Sequence, residues 1–378
     1  MSARPFRDEW RRLKSRAFDL TGNSTAGETV RFDLWGRPVE VYRNANFSIY
    51  SRQPCNAKCH FCVEELRPAS RGRSLSVQKT VEDDDGRYFD AMAESLDALR
   101  PLDPTVSITG GEPSHDPRLP RILALGQARR GRKRTLTTNG SGLLQQRDGK
   151  RVIDWIVDTG VQHLNISRAH PDHDRNARLM VMKDGLTADE LRGVVATAAA
   201  GGTRVRLSCV LLQGQTDSVD HIVAYLRFAR SLGVDNVIFR QLMKTDPTAV
   251  VENHVVKYSD RARVQLEPLL DALSADARFS FERQIVGYYY YVEVFRFEDI
   301  DVVFEEADLA QLEETKRSGP GIVHELIFHP NARLASTWQP WDGILGPPSP
   351  SPSPSPSPSP SPSPPPSPPT MRAALDAS

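Results

Sequence analysis

This sequence of 378 residues has no excess of positive or negative charge, because its 48 Lys and Arg residues balance its 48 Asp and Glu residues. Without a basic field, binding to nucleic acid or to a membrane surface is not expected. Apolar runs long enough to span a bilayer are lacking, and the charged segment Met1–Leu20 has no signal-peptide core. We therefore expect a cytoplasmic enzyme with no nucleic-acid or membrane partner.

Cysteine is also scarce, and the chain has four: Cys55, Cys59, Cys62 and Cys209. Four cysteines are a poor disulfide framework for a chain of this size and fit a reducing compartment better. Three of them lie within eight residues, which is the most unusual local feature of the sequence.

The middle of the chain alternates between short β-rich runs and segments with apolar residues at helical spacing, such as Tyr88, Met92 and Leu96. The predicted strands are Asn46–Ser51, Thr105–Thr109, Arg134–Thr138, His163–Ser167, Thr203–Cys209 and Asn236–Phe239. Such alternation predicts parallel strands with right-handed crossovers. Six units predict an α/β fold of the open, partial (β/α)6 barrel type, whose sites gather at the C-terminal ends of the strands.

The pattern changes on either side of this core. Residues 1–45 are interpreted as an N-terminal extension, 46–244 as the partial barrel, 245–346 as a C-terminal capping or substrate region, and 347–378 as a tail. In the C-terminal region we expect a helix over Arg261–Leu273 and then a small antiparallel addition of aromatic and β-branched runs. From Pro347 to Pro369 the chain contains only Pro and Ser, a composition that predicts a disordered, extended tail.

The cysteine triad directly follows the first predicted strand of the core, as Cys55-Asn-Ala-Lys-Cys59-His-Phe-Cys62. Three thiolates on one loop can hold three irons of a [4Fe–4S] cluster and leave the fourth iron open to a substrate. The alternative is a structural zinc site of the three cysteines with His60 or another histidine. Structural zinc sites usually take their ligands from two short Cys- or His-containing segments separated by a longer loop. This sequence lacks a second segment of that kind.

Four further motifs lie at the ends of the next four predicted strands. They are Thr109-Gly110-Gly111-Glu112-Pro113, Thr137-Thr138-Asn139-Gly140, Asn165-Ile166-Ser167-Arg168 and Arg206-Leu207-Ser208-Cys209-Val210. The first reads as a glycine turn that lets the backbone approach a ligand beside a carboxylate. The second presents short polar side chains at a strand end, where they can form hydrogen bonds to a ligand. Cys209 fits a small buried strand residue better than a metal ligand.

The cysteine loop with an aromatic residue, Phe61, before its last cysteine resembles the radical S-adenosylmethionine superfamily, and the resemblance extends from about Asn46 to Gln241. It implies a [4Fe–4S] cluster on Cys55, Cys59 and Cys62, and S-adenosylmethionine whose amino and carboxylate groups chelate the open iron. One electron from the reduced cluster would then produce a 5′-deoxyadenosyl radical that abstracts hydrogen from a substrate. A flavodoxin- or ferredoxin-like electron donor is implied as well.

The resemblance also implies roles for individual residues. The residues assigned to the cofactor are Phe61, Gly110, Gly111, Glu112, Thr138, Asn139, Ser167, Arg168 and Ser208. Ser208 takes the place of an Asn found in molybdenum-cofactor-cyclase-like members. Many relatives carry an acidic residue where this chain has Arg168. Arg168 is therefore expected to pair with the methionine carboxylate or an acidic substrate group, and the alternative is a surface arginine.

The absence of any cysteine after Cys209 is the main constraint on the substrate. The additional iron–sulfur clusters that peptide-modifying members and the molybdenum-cofactor cyclase carry in their C-terminal regions are therefore not expected. Residues suggested for the substrate side are Arg67, His170, Arg240 and Tyr290. Arginines with aromatics suit an anionic sugar or nucleotide-like small molecule, and the alternative is that these arginines are merely solvated.

The chain is also similar to antibiotic-pathway members of the cytosylglucuronate decarboxylase type, lyases that remove a carboxylate from a sugar acid on a nucleoside. A radical sugar dehydratase or epimerase, or a peptide-modifying enzyme, is an alternative within the same chemistry. A zinc-stabilised binding module without radical activity is the alternative of another class.

Overall fold

The computed structural model of the chain describes residues 12–13, 28–66, 80–129, 131–244 and 253–346. Arg67 and the tail 347–378, for which the sequence suggested a substrate contact and disorder, lie outside these residues. The strands are β1 Thr29–Leu34, β2 Arg37–Tyr42, β3 Asn46–Tyr50, β4 Thr105–Thr109, β5 Arg134–Thr138, β6 Gln146–Arg147, β7 Lys150–Arg151, β8 His163–Ser167, β9 Arg204–Val210, β10 Asn236–Arg240, β11 Phe279–Val286, β12 Tyr290–Phe297, β13 Ile300–Ala307, β14 Ile322–Val323, β15 Leu326–Phe328 and β16 Leu334–Ala335. The helices are α1 Asp85–Ala98, α2 Leu119–Ala128, α3 Val152–Asp158, α4 His173–Met180, α5 Ala188–Ala200, α6 Val219–Ser231, α7 His254–Ala262, α8 Leu266–Ala275 and α9 Leu309–Ser318.

Eleven of the described strands form one large sheet in the order β11-β12-β13-β10-β9-β8-β5-β4-β3-β15-β16. The six predicted core strands, β3, β4, β5, β8, β9 and β10, are neighbours in this order and pair in parallel. Because β11 and β16 end the sheet on opposite sides, the barrel is open. The predicted α/β class with a partial barrel is confirmed.

One face of the core strands is packed against the helices. Val106, Leu136, Leu164 and Leu207 alternate along their strands with more exposed residues and are at most 3 % exposed. They share one apolar cluster with residues of the helices, among them Ile122, Ile153, Val194 and Ile222. Burial of these alternating side chains stabilises the layer by about 1.5–3 kcal/mol for each large apolar residue.

The C-terminal region extends the sheet at both edges. β13 pairs in parallel with β10, and β11 and β12 follow it as antiparallel strands. At the other edge β15 pairs in parallel with β3, and β16 pairs antiparallel with β15. The predicted addition is therefore antiparallel only in part, because two of its strands continue the parallel run. The proposed division at residue 245 remains a prediction, since both segments share this sheet.

The single helix predicted over Arg261–Leu273 is wrong. The structure has two helices, α7 and α8, separated by extended backbone at Arg263, which bridges to Leu212. Pro268 explains the break, because its ring excludes a helical hydrogen bond to the residue four positions earlier while fitting the first turn of α8. A second, smaller sheet forms where β14 pairs in parallel with β2 of the predicted N-terminal hairpin.

Candidate cofactor and substrate site

The inner face of the parallel sheet, opposite the helices, is polar and only half-buried between Ser107 on β4 and Ser208 on β9. Parallel sheets are normally covered by apolar residues on both faces. The strand register places Thr137, Asn165 and Arg206 in one row, and Ser167 beside Ser208 one step nearer the C-terminal ends. A polar strip that no described helix covers is suited to contact a ligand.

Apolar side chains border this polar strip at both edges. On one side Ile238 and Val303 follow Ser208 in register and belong to a cluster to which Tyr290 adds its ring. On the other side Tyr50 and Trp338 pack together, with ring centroids 6.0 Å apart. The inner face therefore offers hydrogen-bonding groups in the middle and apolar or aromatic walls at its flanks.

The cysteine loop leaves the C-terminal end of β3 and is held from two sides. The backbone N–H of Lys58 donates to the carbonyl oxygen of Met180 at the end of α4 (3.2 Å), and the thiol of Cys59 donates to the same oxygen (3.4 Å). On the other side, Nδ2 of Asn139 donates to Sγ of Cys55 (3.7 Å). The loop is thus fixed between α4 and the motif that ends β5.

All three thiols of the loop are half-buried, and burial raises the pKa of Cys55, of Cys59 and of Cys62, that of Cys62 to about 11. The pKa of Cys59 is raised further by the negative charge that Cys62 and Cys55 would carry as thiolates. Nearby cations such as iron are what would keep three such groups ionised together. In the described residues, no three His, Cys, Asp or Glu side chains converge as they would around a single metal ion.

The glycine turn after β4 is packed directly against the end of β3. Gly110 and Gly111 have φ angles of +77° and +49°, which favour glycine. A Cβ atom at Gly110 would overlap the ring of Tyr50. The carboxylate of Glu64 accepts hydrogen bonds from the N–H of Gly111 (2.8 Å) and from the hydroxyl of Tyr50.

Glu112 is 1 % exposed and ties the glycine turn to the end of β5. Its carboxylate accepts hydrogen bonds from the N–H of Ser114 (3.0 Å), the N–H of Asn139 (2.7 Å) and the hydroxyl of Thr138. The predicted contact of Glu112 with the amino group of a ligand remains a prediction. In the structure this side chain fixes the two motifs relative to each other.

Arg168 follows Ser167 but its guanidinium points away from the polar strip. It is 3 % exposed and donates to the carbonyl oxygens of His170 (3.1 Å), Pro171 (3.0 Å) and Leu186 (3.1 Å). This differs from the expectation that it pairs with a ligand carboxylate, because three backbone oxygens already take up its donors. Arg168 here orders the loop after β8, where half-buried His170 accepts a hydrogen bond from the N–H of Asp172 (2.9 Å).

The ring of Phe61 packs against helix α7 of the C-terminal region. Its ring centroid is 6.4 Å from that of Tyr258, and the ring of His60 is 5.5 Å from the same tyrosine. The side chain of Asn253, which caps α7, donates to the carbonyl oxygen of Glu65 (2.9 Å). The C-terminal region therefore contacts the cysteine loop directly, and the predicted adenine contact of Phe61 remains a prediction.

The two remaining substrate-side candidates, Arg240 and Tyr290, both lie at the C-terminal edge of the sheet. Arg240 ends β10, is exposed, and forms an ion pair with Glu305 (3.0 Å). Tyr290 begins β12 opposite Ala307, the last residue of β13, and is half-buried. The structure thus places both near the end of the polar strip.

Three residues of the site, Tyr50, Glu64 and Arg206, were not singled out from the sequence. Arg206 lies in the middle of the polar strip, and its Nε donates to the amide oxygen of Asn236. Burial and the nearby charge of Arg240 lower the pKa of Arg206 to about 10. No carboxylate among the described residues forms an ion pair with it. Its place in the Arg206–Val210 motif was the available signal, whereas no sequence pattern marks Tyr50 or Glu64.

Comparison with known proteins gives a match of residues 53–229 to the model of the Radical SAM superfamily. A GTP 3′,8-cyclase of Pseudomonas fluorescens (strain Pf0-1) is 28 % identical over 229 residues, which are 60 % of this chain and 60 % of the relative. A GTP 3′,8-cyclase 2 of Pseudomonas aeruginosa is 26 % identical over 64 % of this chain and 67 % of the relative. The chain thus spans about 60 % of the length of the first of these curated relatives.

Among solved structures, SuiB of Streptococcus suis bound to the precursor peptide SuiA is similar, with a TM-score of 0.47 and 14 % identity. The similarity covers 79 % of this chain and 60 % of SuiB. Within the described residues, none of the helices combines the length and hydrophobicity needed to cross a bilayer.

Proposed function

We propose that this chain, which carries a radical SAM domain, uses the site at the C-terminal edge of its sheet to cleave S-adenosylmethionine reductively in the cytoplasm. Enzymes of this family use a [4Fe–4S] cluster and S-adenosylmethionine. The observation that supports the assignment most directly is the loop of Cys55, Cys59 and Cys62, packed between α4 and Asn139. When bound, the reduced cluster and S-adenosylmethionine supply a 5′-deoxyadenosyl radical that abstracts hydrogen from the substrate.

The donor set of the cysteine loop fits such a cluster. A [4Fe–4S] cluster takes one thiolate on each of several irons, so its ligands need not converge on one ion. We assign the three thiols to three irons, with the fourth left for the amino and carboxylate groups of S-adenosylmethionine. Asn139, by donating to the sulfur of Cys55 (3.7 Å), would stabilise the thiolate form of that ligand.

The neighbouring motifs would then bind the remainder of S-adenosylmethionine. Gly110 and Gly111 let the backbone approach its amino group, and Glu112 holds that turn against Thr138 and Asn139. Ser167 and Ser208, adjacent in register at the end of the polar strip, are assigned to ribose or carboxylate oxygens. The guanidinium of Arg206, which forms no ion pair with a carboxylate of the described residues, provides a charge for a carboxylate on the same face.

For the substrate we propose a small polar molecule with an aromatic or sugar portion, such as a nucleoside-linked sugar acid. The polar strip supplies hydrogen bonds, and the rings of Tyr50, Trp338 and Tyr290 flank it. The name of the curated relatives, GTP 3′,8-cyclase, supports a nucleotide-like substrate. Decarboxylation of a sugar acid in an antibiotic pathway, the lyase reaction suggested by sequence, is the specific reaction we propose to test first.

The radical chemistry is tested by anaerobic incubation with S-adenosylmethionine and dithionite, followed by detection of 5′-deoxyadenosine. We expect Cys59→Ala to abolish both the absorbance of the cluster near ~400 nm and the formation of 5′-deoxyadenosine. Cys209→Ala is the matched control, because Cys209 is fully buried on β9 and should leave both intact. Cleavage by the Cys59→Ala variant would refute the ligand assignment.

The substrate is tested separately by adding a nucleoside-linked uronic acid, or GTP, to the active enzyme. Turnover of the proposed substrate should raise the yield of 5′-deoxyadenosine, transfer deuterium from the labelled sugar, and release carbon dioxide. A response to GTP with a cyclised product instead would show that the reaction is that of the curated relatives.

A further inference from the structure

Ser141, two residues after Asn139, is the centre of a hydrogen-bond network beside the cysteine loop. Its hydroxyl donates to the amide oxygen of Asn139 (2.6 Å). The same Oγ accepts from Nδ2 of Asn56 (3.1 Å) and lies 2.9 Å from Nε2 of His115. A hydroxyl has one proton and two acceptor lone pairs, so these three contacts use its full capacity. Because the proton is directed to Asn139, Nε2 of His115 is the donor in its pair with Ser141.

These contacts hold the side-chain amide of Asn139 in one orientation. Its oxygen accepts two hydrogen bonds from Ser141, one from the hydroxyl and one from the backbone N–H (3.0 Å). Its Nδ2 donates to Oδ1 of Asn56 (2.8 Å) and to Sγ of Cys55 (3.7 Å). A reversed amide would direct its oxygen at the acceptor oxygen of Asn56 and its NH2 group at the N–H of Ser141. The network therefore selects the orientation in which an N–H meets the sulfur.

The short helical turn Pro113–His115 holds the segment that contains Ser141. This turn follows the glycine turn after β4. The N–H of Gly142 donates to Oγ of Ser114 (3.0 Å), and a Cβ atom at Gly142 would overlap Ser114. Ser114 and His115 thus contact two successive residues of the segment after β5. Hydrogen bonds therefore connect the turn after β4 to the sulfur of the cysteine loop.

A hydrogen bond to a ligand sulfur affects the reduction potential of an iron–sulfur cluster. Reduction adds negative charge, which an N–H stabilises and the oxygen of a reversed amide would oppose. Among the described residues, neither Ser141 nor His115 forms a hydrogen bond with a cysteine. Any effect of these two side chains on the cluster must therefore pass through Asn139.

We propose that Ser141 and His115 are positioning residues that hold the amide of Asn139 so that its N–H raises the reduction potential of the cluster bound at Cys55. This rests on the proposed function, in which Cys55 is a ligand of a [4Fe–4S] cluster. With a higher potential, a given reductant reduces a larger share of the cluster. Ser141 sets the direction of the amide, and His115 sets the direction of the Ser141 hydroxyl.

The test is an anaerobic redox titration of the reconstituted holoenzyme, with the reduced cluster measured by electron paramagnetic resonance. We expect Ser141→Ala to lower the ratio of reduced to oxidised cluster at a fixed solution potential about fivefold. His115→Leu should shift the ratio in the same direction. His115→Gln should keep the wild-type ratio, because its amide N–H replaces that of Nε2. The ratio describes only the cluster that is present, so partial loading of a variant does not alter it.

Ser218→Ala is the matched control. Ser218 is also half-buried, and its hydroxyl accepts a hydrogen bond from the N–H of His221 at the start of α6 (3.3 Å). Its removal costs a helix cap outside this network and should leave the ratio unchanged. Equal ratios in Ser141→Ala and the wild type, or an equal shift in Ser218→Ala, would overturn the positioning role. Wild-type protein that takes up no iron–sulfur cluster would instead contradict the proposed function.

Discussion

At the scale of single residues, the contact between Gly110 and Tyr50 joins the two motifs that the proposed cofactor site needs. Tyr50 precedes the cysteine loop, and Gly110 opens the turn after β4. The ring occupies the space that a side chain at position 110 would need, while the tyrosine hydroxyl and the N–H of Gly111 share the carboxylate of Glu64. A change at position 110 should therefore affect ligand binding as well as stability.

We expect Gly110→Ala to weaken binding of S-adenosylmethionine at least tenfold, measured by isothermal titration under anaerobic conditions. The added methyl group would displace the ring of Tyr50 and with it the hydrogen bonds of Glu64. Gly149→Ala is the matched control, because Gly149 has a similar φ of +79° but no atom near the position of a Cβ. Both variants carry the strain of alanine at positive φ, about 1 kcal/mol, so equal behaviour of the two would contradict the role of Tyr50.

His329 gives a prediction for the pH dependence of stability. It is 1 % exposed, its Nε2 lies 3.0 Å from the carbonyl oxygen of Thr337, and burial lowers its pKa to about 4. Between that value and the unfolded pKa of about 6.5, the unfolded chain binds a proton that the folded chain does not. Stability must therefore decrease as the pH falls through this window.

We expect the free energy of unfolding to fall between pH 7 and pH 5, with roughly 1–2 kcal/mol of the loss due to His329. The measurement is urea unfolding of the wild type and of His329→Gln, which keeps an N–H donor but does not titrate. The variant should lose less stability over this interval than the wild type. An identical loss in both proteins would show that His329 does not contribute.

At the scale of elements, local patterns predicted the core strands well. β4, β5 and β8 begin and end at the residues that were predicted. β4 and β8 alternate apolar and polar side chains, and β5 is a short run rich in β-branched threonine. The break between α7 and α8 was missed although Pro268 marks it. β13 and β15 were assigned to an antiparallel addition, since a short apolar run carries no information about the direction of its partner.

The site could be predicted from the sequence only where a motif lies on one segment. The cysteine loop and the glycine turn are such motifs, and the fold places both at the C-terminal edge of the sheet. The contacts of Glu64 with Tyr50 and Gly111 depend on segments distant in sequence, so that no local pattern indicates them. The same holds for the packing of α7 on Phe61. The contacts of Arg168 follow from the backbone of the loop after β8, which no side-chain motif indicates.

At the scale of the whole molecule, the C-terminal region is joined to the barrel by a buried ion pair. Nζ of Lys244 lies 2.6 Å from a carboxylate oxygen of Glu306, and the two side chains are 1 % and 0 % exposed. Lys244 follows β10, and Glu306 belongs to β13, the strand that extends the core sheet. Removal of one charge would leave the other buried after the loss of this ion pair.

We expect Lys244→Met to reduce the free energy of unfolding by about 3–5 kcal/mol, measured by urea denaturation. Adding Glu306→Met should restore much of this loss, because the buried carboxylate that has lost its ion pair with Lys244 is then removed. Since one sheet runs through both regions, each protein should unfold in a single transition. Two separate transitions, or equal stability of the single and double variants, would contradict this coupling.

The pairing of β15 with β3 has a consequence for the biogenesis of the protein. Residues 326–328 lie beside residues 47–49, so this second partner of β3, on the side away from β4, leaves the ribosome only when most of the chain has been translated. Until then β3 is an unprotected edge, and such edges are prone to pair with other chains. Because this strand leads directly into the cysteine loop, iron delivery to a nascent chain would meet a loop whose support is incomplete, and cluster assembly should follow release of the finished polypeptide.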